Sequence, residues 1–114
     1  MTTWTVPATV ARVVDADTLA LILDLGWHIT LTTSARIGGI DAPELSTVAG
    51  KTARDYVRAL LPAGAAVTFV SHSLDKYGRP LGSVRLPDGR DLAEVLRLAG
   101  HAVAYGGGPR AGSS

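Results

Sequence analysis

From Trp27 to Ile37 apolar and polar residues alternate without a break. Ile29, Leu31, Thr33, Ala35 and Ile37 fall on one face, and His28, Thr30, Thr32, Ser34 and Arg36 on the other. A period of two fits an extended strand, because successive side chains of a strand point to opposite sides of a sheet. Such a strand needs neighbours to pair with and a core to cover its apolar face. Arg36 closes the run on the polar face, where its charge reaches a solvent-facing cleft.

The rest of the chain supplies the neighbours. Thr9–Val14 and Thr18–Asp24 are β-branched and aliphatic runs joined at the polar corner Asp15-Ala16-Asp17, and Asp24-Leu25-Gly26 turns the chain again. From Gly50 to Leu61 the period changes: Ala49, Ala53, Val57, Leu60 and Leu61 recur at helical spacing opposite Lys51, Arg54, Asp55 and Arg58, and Pro62 ends the run. Val67–Val70 and Leu81–Leu86 read as two more strands around the polar loop 71–80, and Pro87-Asp88-Gly89 supplies the next turn. Asp91-Leu92-Ala93-Glu94 has the form of a capping box for a short helix through Leu92, Val95, Leu96 and Ala99, with Gly100 suited to its left-handed C-terminal cap. Ala102–Tyr105 adds a last short strand, and 106–114 is a Gly/Ser-rich stretch read as a flexible tail. Three strands, a helix, two strands and a helix is the order expected of a mainly β domain with about two short helices, a five-stranded Greek-key barrel of the OB type. It occupies residues 1–105.

With 114 residues the chain is one domain with a modest core. The absence of cysteine excludes disulfides, cysteine zinc sites and thiol chemistry. A net charge of +1 is not the footprint of a protein that holds long duplexes by electrostatics alone, although basic residues clustered at one site would still serve a nucleic acid. No apolar run approaches the roughly 20 residues of a membrane span. The first residues have neither a basic nor an apolar signal region, so the expectation is a cytoplasmic protein, or a secreted one if a leader is missing from this chain.

Three clusters carry possible chemistry. Asp15-Ala16-Asp17-Thr18 sets two carboxylates and a hydroxyl at a strand corner; one of them could join Asp41 as an oxygen ligand for Ca²⁺, or the group could be an Asp-rich turn capping its own backbone. In Arg36-Ile-Gly-Gly-Ile-Asp41-Ala-Pro-Glu44 a guanidinium and two carboxylates share a loop opened by Gly38, Gly39 and Pro43. Asp41 could bind metal while Glu44 takes a proton from a nearby water, or Asp-x-Pro-Glu could start a helix. Asp75-Lys-Tyr-Gly-Arg79 offers a second guanidinium in Arg79, with Lys76 and Tyr77 as phosphate contacts, or it is a solvated hairpin loop. Gly50-Lys51-Thr52 looks like the end of a P-loop, but Leu45 stands where that pattern needs glycine. His28, His72 and His101 have no spacing suited to a metal.

Together with the closing Leu-Arg-Leu-Ala-Gly-His-Ala, these motifs resemble the staphylococcal nuclease (thermonuclease) family in order and spacing over Val10–Tyr105. The resemblance implies an OB-type barrel, Ca²⁺ as cofactor, single-stranded or frayed DNA and RNA as substrate, and hydrolysis leaving 3′-phosphate ends. It implies that Asp17, Asp41 and the backbone carbonyl of Ala42 hold calcium, that Glu44 activates water, and that Arg36 and Arg79 bind phosphate. Lys76 and Tyr77 match contacts to a terminal phosphate, and Tyr105 a tyrosine near the base. A monomer is expected. Ala16 stands where the family commonly has glycine; at a positive φ, alanine would cost about 1–2 kcal/mol. No C-terminal helix follows Tyr105, and the loop before Gly50 has no lysine cluster. The alternative is a silent OB module that binds single-stranded nucleic acid or a protein partner through stacking aromatics and a basic groove. Aromatics are few, and carboxylates at such a groove would repel phosphate.

Overall fold

The computed structural model describes residues 4–104; Tyr105 and the segment 106–114 lie outside the described residues. Five strands close a barrel: β1 (Trp4–Asp15), β2 (Thr18–Asp24), β3 (Thr30–Ile37), β5 (Ala66–Leu74) and β6 (Pro80–Arg85), in the order β1-β2-β3-β6-β5. A two-residue strand β4 (Ile40–Asp41) pairs with β7 (Val103–Ala104) beside it, and the helices are α1 (Val48–Leu60) and α2 (Leu92–Leu98). All barrel pairings are antiparallel except β3 with β6, which run parallel through Arg36 opposite Leu81 and Ile37 opposite Gly82. This is the expected barrel with two helices. Among the described residues no helix is long and apolar enough to cross a membrane.

β1 starts at Trp4, ahead of the expected Thr9, with Pro7 in the ladder opposite Thr68. The strand serves two neighbours, β5 through Trp4–Thr9 and β2 through Ala8–Asp15. Its buried positions change parity on the way, from Val6, Ala8 and Val10 to Val13. A bulge between Val10 and Arg12 absorbs the odd residue and turns Arg12 outward.

The long alternating run is corrected at its start. Gly26, Trp27 and His28 all take positive φ (87°, 52° and 63°), so the turn from Asp24 extends to Ile29 and β3 begins only at Thr30. The Asp24 carboxylate accepts the Gly26 N–H at 2.9 Å, and Ile29 N–H bonds back to the Gly26 carbonyl at 2.9 Å. The apolar face is covered only towards its end: Ile29 and Leu31 are 52% and 49% exposed, whereas Ala35 and Ile37 are fully buried. β5 also runs past the expected Val70 to Leu74, through a bulge between Ser71 and Ser73.

The core joins Val10, Leu19, Leu21, Ile37, Phe69 and Val84 of the barrel to Ala53 and Val57 of α1 and to Leu92 and Leu96 of α2. Both helices start at side-chain caps. Thr47 Oγ1 accepts the Gly50 N–H at 3.0 Å, and the Asp91 carboxylate accepts the Glu94 N–H at 3.4 Å. Glu94 itself pairs with Arg97 at 2.8 Å. Gly100 takes the expected positive φ of 82°.

The corner at Ala16 departs from expectation. Among the described residues the non-glycine residues with positive φ are Trp27 and His28, so Ala16 carries no left-handed strain. Its methyl group is 1% exposed and belongs to the core. Glycine at this position adds backbone freedom to the unfolded chain and removes a buried methyl. Ala16→Gly is therefore expected to destabilise the protein by about 1–2 kcal/mol, the sum of a glycine penalty and one lost carbon. Urea unfolding checks this; a midpoint raised by the substitution would show that the corner wants glycine.

Candidate functional site

Asp17 stands at the β1–β2 corner and is 8% exposed, a depth at which a carboxylate needs partners. Its backbone carbonyl accepts the Ile37 N–H at 2.9 Å, which locks the corner to the end of β3. Thr18 pairs with Arg36 across the β2–β3 ladder. That register brings the guanidinium to the carboxylate: Arg36 Nη1 lies 3.2 Å from Asp17 Oδ2 and donates to the Ile37 carbonyl at 2.8 Å. Nη2 lies 3.8 Å from Asp41 Oδ1. The backbone N–H of Ala42 donates to Asp17 Oδ2 at 3.1 Å, so Ala42 adjoins this carboxylate through its own amide. Asp17, Arg36, Asp41 and Ala42, from three separate stretches, thus meet at one end of the barrel.

Asp15 lies beside them, and its carboxylate accepts the Asp17 N–H at 3.2 Å. Burial, followed by the hydrogen bond and charge of Asp17, pushes Asp15 up to about 6. The loop from β3 to β4 is held by Gly38 N–H donating to the Gly82 carbonyl at 2.8 Å and by Asp41 opposite Val103.

The parallel pairing of β3 with β6 brings the loop before β6 to the same place. A cleft of about 430 Å³ is lined by Arg36, Gly38, Gly39, Lys76, Tyr77 and Arg79 among others. Tyr77 is exposed, with Lys76 Nζ 5.3 Å and the Arg79 guanidinium carbon 5.5 Å from its ring centre. Arg79 Nε donates to Asp75 Oδ2 at 2.7 Å, and Asp75 Oδ1 accepts the N–H groups of Tyr77 and Arg79, both at 2.9 Å. Desolvation pushes the Asp75 carboxyl up, but the Arg79 N–H, the Arg79 side chain and the Tyr77 N–H outweigh it and hold the group below the usual carboxylate range.

Glu44 is the sequence-predicted residue with the least structural engagement. It is exposed, on the loop between β4 and α1. Its backbone is fixed, since its carbonyl accepts both the N–H and the Oγ1–H of Thr47, at 3.0 and 2.6 Å. Asp-x-Pro-Glu is not a helix start; α1 begins at Val48 after the Thr47 cap. Among the described residues no group of three or more Asp, Glu or His side chains forms a metal cage. His72 instead shares a hydrogen bond with Ser83 at 3.2 Å, and His101 packs against Tyr56 with ring centres 4.5 Å apart.

The profile described as staphylococcal nuclease homologue matches residues 34–111, which takes in Arg36, Asp41, Glu44 and Arg79. The chain belongs to the staphylococcal nuclease family. Proteins named uncharacterized endonuclease in Escherichia coli O157:H7 and Escherichia coli are each 35% identical to it over 96 residues, 84% of this chain and 59% of the relative. Endonuclease YhcR of Bacillus subtilis strain 168 is 33% identical over 109 residues, 84% of this chain but 9% of that protein. The chain therefore spans about three-fifths of the length of the E. coli relatives and a small part of the Bacillus one. Asp17 lies ahead of the segment matched by the staphylococcal nuclease profile, and its link to the site is the geometry around Arg36.

Two residues escaped the sequence reading. Asp75 was visible in its cluster but had no assigned part. Gly50 looked like a fragment of a failed phosphate loop, whereas its part is spatial: a Cβ there would overlap the Glu44 carbonyl oxygen. In an exposed helix, exchanging glycine for alanine stabilises by up to about 1 kcal/mol. Here the overlap reverses the sign, and Gly50→Ala is expected to cost about 1–3 kcal/mol, as overpacking does. A urea midpoint at or above that of the parent would mean that the loop carrying Glu44 yields freely.

Proposed function

We propose that the chain is a calcium-dependent nuclease of the thermonuclease type, hydrolysing phosphodiester bonds of DNA, and also RNA, to leave 3′-phosphate ends. The observation that carries this is the pairing of two guanidinium groups on one cleft with two carboxylates gathered behind one of them. Family membership and the endonuclease names of the relatives support it.

The donors fit a hard cation. Asp17 and Asp41 offer carboxylate oxygens and Ala42 a carbonyl, and no thiol or imidazole stands among these three residues. Calcium takes six to eight oxygens, so about half would come from water or substrate, which suits weak, reversible binding. Asp17, Asp41 and the Ala42 carbonyl would hold the calcium ion, which would supply positive charge at a phosphate oxygen and make a neighbouring water more acidic.

The residues of the chain do the rest. Arg36 and Arg79 meet the negative charge that builds on the phosphoryl oxygens as water attacks, a charge that is stabilised best by donors fixed in advance. Glu44, on its pinned and solvent-exposed loop, takes the proton of that water. The bond from phosphorus to the 5′ oxygen breaks, that oxygen takes a proton from solvent as it leaves, and Glu44 returns its proton to solvent. Lys76 and Tyr77 hold a neighbouring phosphate.

Cleavage of heat-denatured DNA by the full chain, with calcium present, tests the assignment. Arg36→Ala and Arg79→Ala are each expected to lower kcat by about 10²–10³-fold, with a much smaller change in KM. Glu44→Ala is expected to lower it by about 10²–10⁴-fold. Excess chelator abolishes cleavage. Undiminished turnover by Arg36→Ala or Glu44→Ala removes the catalytic assignment, and full activity in chelator removes the metal.

A further inference from the structure

The Arg79 side chain is held from two directions before any substrate arrives. Asp75 Oδ2 takes its Nε–H at 2.7 Å, and the Tyr77 ring lies 5.5 Å from its guanidinium carbon. The same carboxylate shapes the backbone that carries it, because Asp75 Oδ1 accepts both the Tyr77 and the Arg79 N–H. Asp75 N–H donates to the Arg79 carbonyl at 2.8 Å, and Gly78, at a φ of 80°, returns its N–H to the Asp75 carbonyl at 3.0 Å. The loop and its arginine are therefore one hydrogen-bonded unit closed on a single carboxylate.

We propose that Asp75 is a positioning residue for the reaction: by engaging Nε, it orients the guanidinium of Arg79 so that the two Nη groups serve the phosphate. This rests on the role given to Arg79 above. An unrestrained arginine loses side-chain freedom when it binds a phosphate, and a pre-set fork has less to lose. The second carboxylate oxygen makes this a matter of charge as well as shape, since a charge-assisted bond to Nε is stronger than a neutral one. The depressed protonation of Asp75 keeps that charge in place through neutral and mildly acid conditions.

Asp75→Asn separates the two duties of the side chain. Its oxygen can still accept the Tyr77 and Arg79 N–H groups, while its NH₂ group cannot accept from Nε. In the full chain, with calcium and denatured DNA, this change is expected to lower kcat about 10–100-fold with KM little altered, as loss of an orienting partner does elsewhere. In an Arg79→Ala background the same change is expected to have no further effect. An Asp75→Asn protein with parental kcat overturns the inference. Losses that multiply in the double variant also overturn it, because Asp75 then acts on the fold and not through Arg79. Parental turnover by Arg79→Ala would instead withdraw the role of Arg79, and the positioning role with it. The ¹⁵Nε–¹H resonance of Arg79 gives a readout free of turnover: slow solvent exchange in the parent and fast exchange in Asp75→Asn support the contact, and equal exchange in both refutes it.

Discussion

At the end of β3 one guanidinium is set against carboxylates from two other stretches of chain, and the local structure depends on that balance. Asp17 is too deeply placed to be charged without a partner, and Arg36 stands 3.2 Å away. Asp41 adds a second carboxylate on the other amino group. Asp17 is not held by Arg36 alone, because the Ala42 amide also reaches it. A half-buried ion pair of this kind offers little net stability, yet removing one member strands the other. The arrangement holds three stretches of backbone in register, and that is also what a phosphate site requires.

The two sides of the cleft are kept rigid by different means. On the Arg36 side, strand pairing and a shared ion pair fix the backbone. On the Arg79 side there is only a hairpin loop, and one aspartate supplies the order that a sheet supplies opposite. Glu44 follows a third route: its backbone is docked on the first turn of α1 while its side chain stays exposed.

Much of this was legible in the sequence where local pattern and tertiary role agree. The alternation ending at Ile37 and the helical spacing of Ala53 and Val57 gave the elements because burial enforces both periods. Asp17, Arg36 and Asp41 stand out in the sequence by residue type and spacing alone. What stayed hidden depends on contacts distant in sequence. No local signal marks the parity change in β1, since Val10 and Val13 look alike until pairing with β2 creates the bulge. Gly50 gives no sign that the Glu44 carbonyl will rest against it. The alternation at Trp27 also overstated β3, because period alone does not distinguish a strand from a left-handed turn that leads into it.

The seam between β3 and β6 is the narrowest in the barrel, with Arg36 opposite Leu81 and Ile37 opposite Gly82 as its registered pairs. It is also parallel and long-range, so closing it spans α1 and β5, and in the sheet only the β1–β5 seam bridges more chain. Hairpins such as β1–β2 and β5–β6 form from neighbouring chain and can precede it. The two arginines share a cleft only after this closure. During synthesis, a chain that has not yet delivered β6 has its acidic corner and its first arginine but no second cleft wall, so the site comes into being late and all at once.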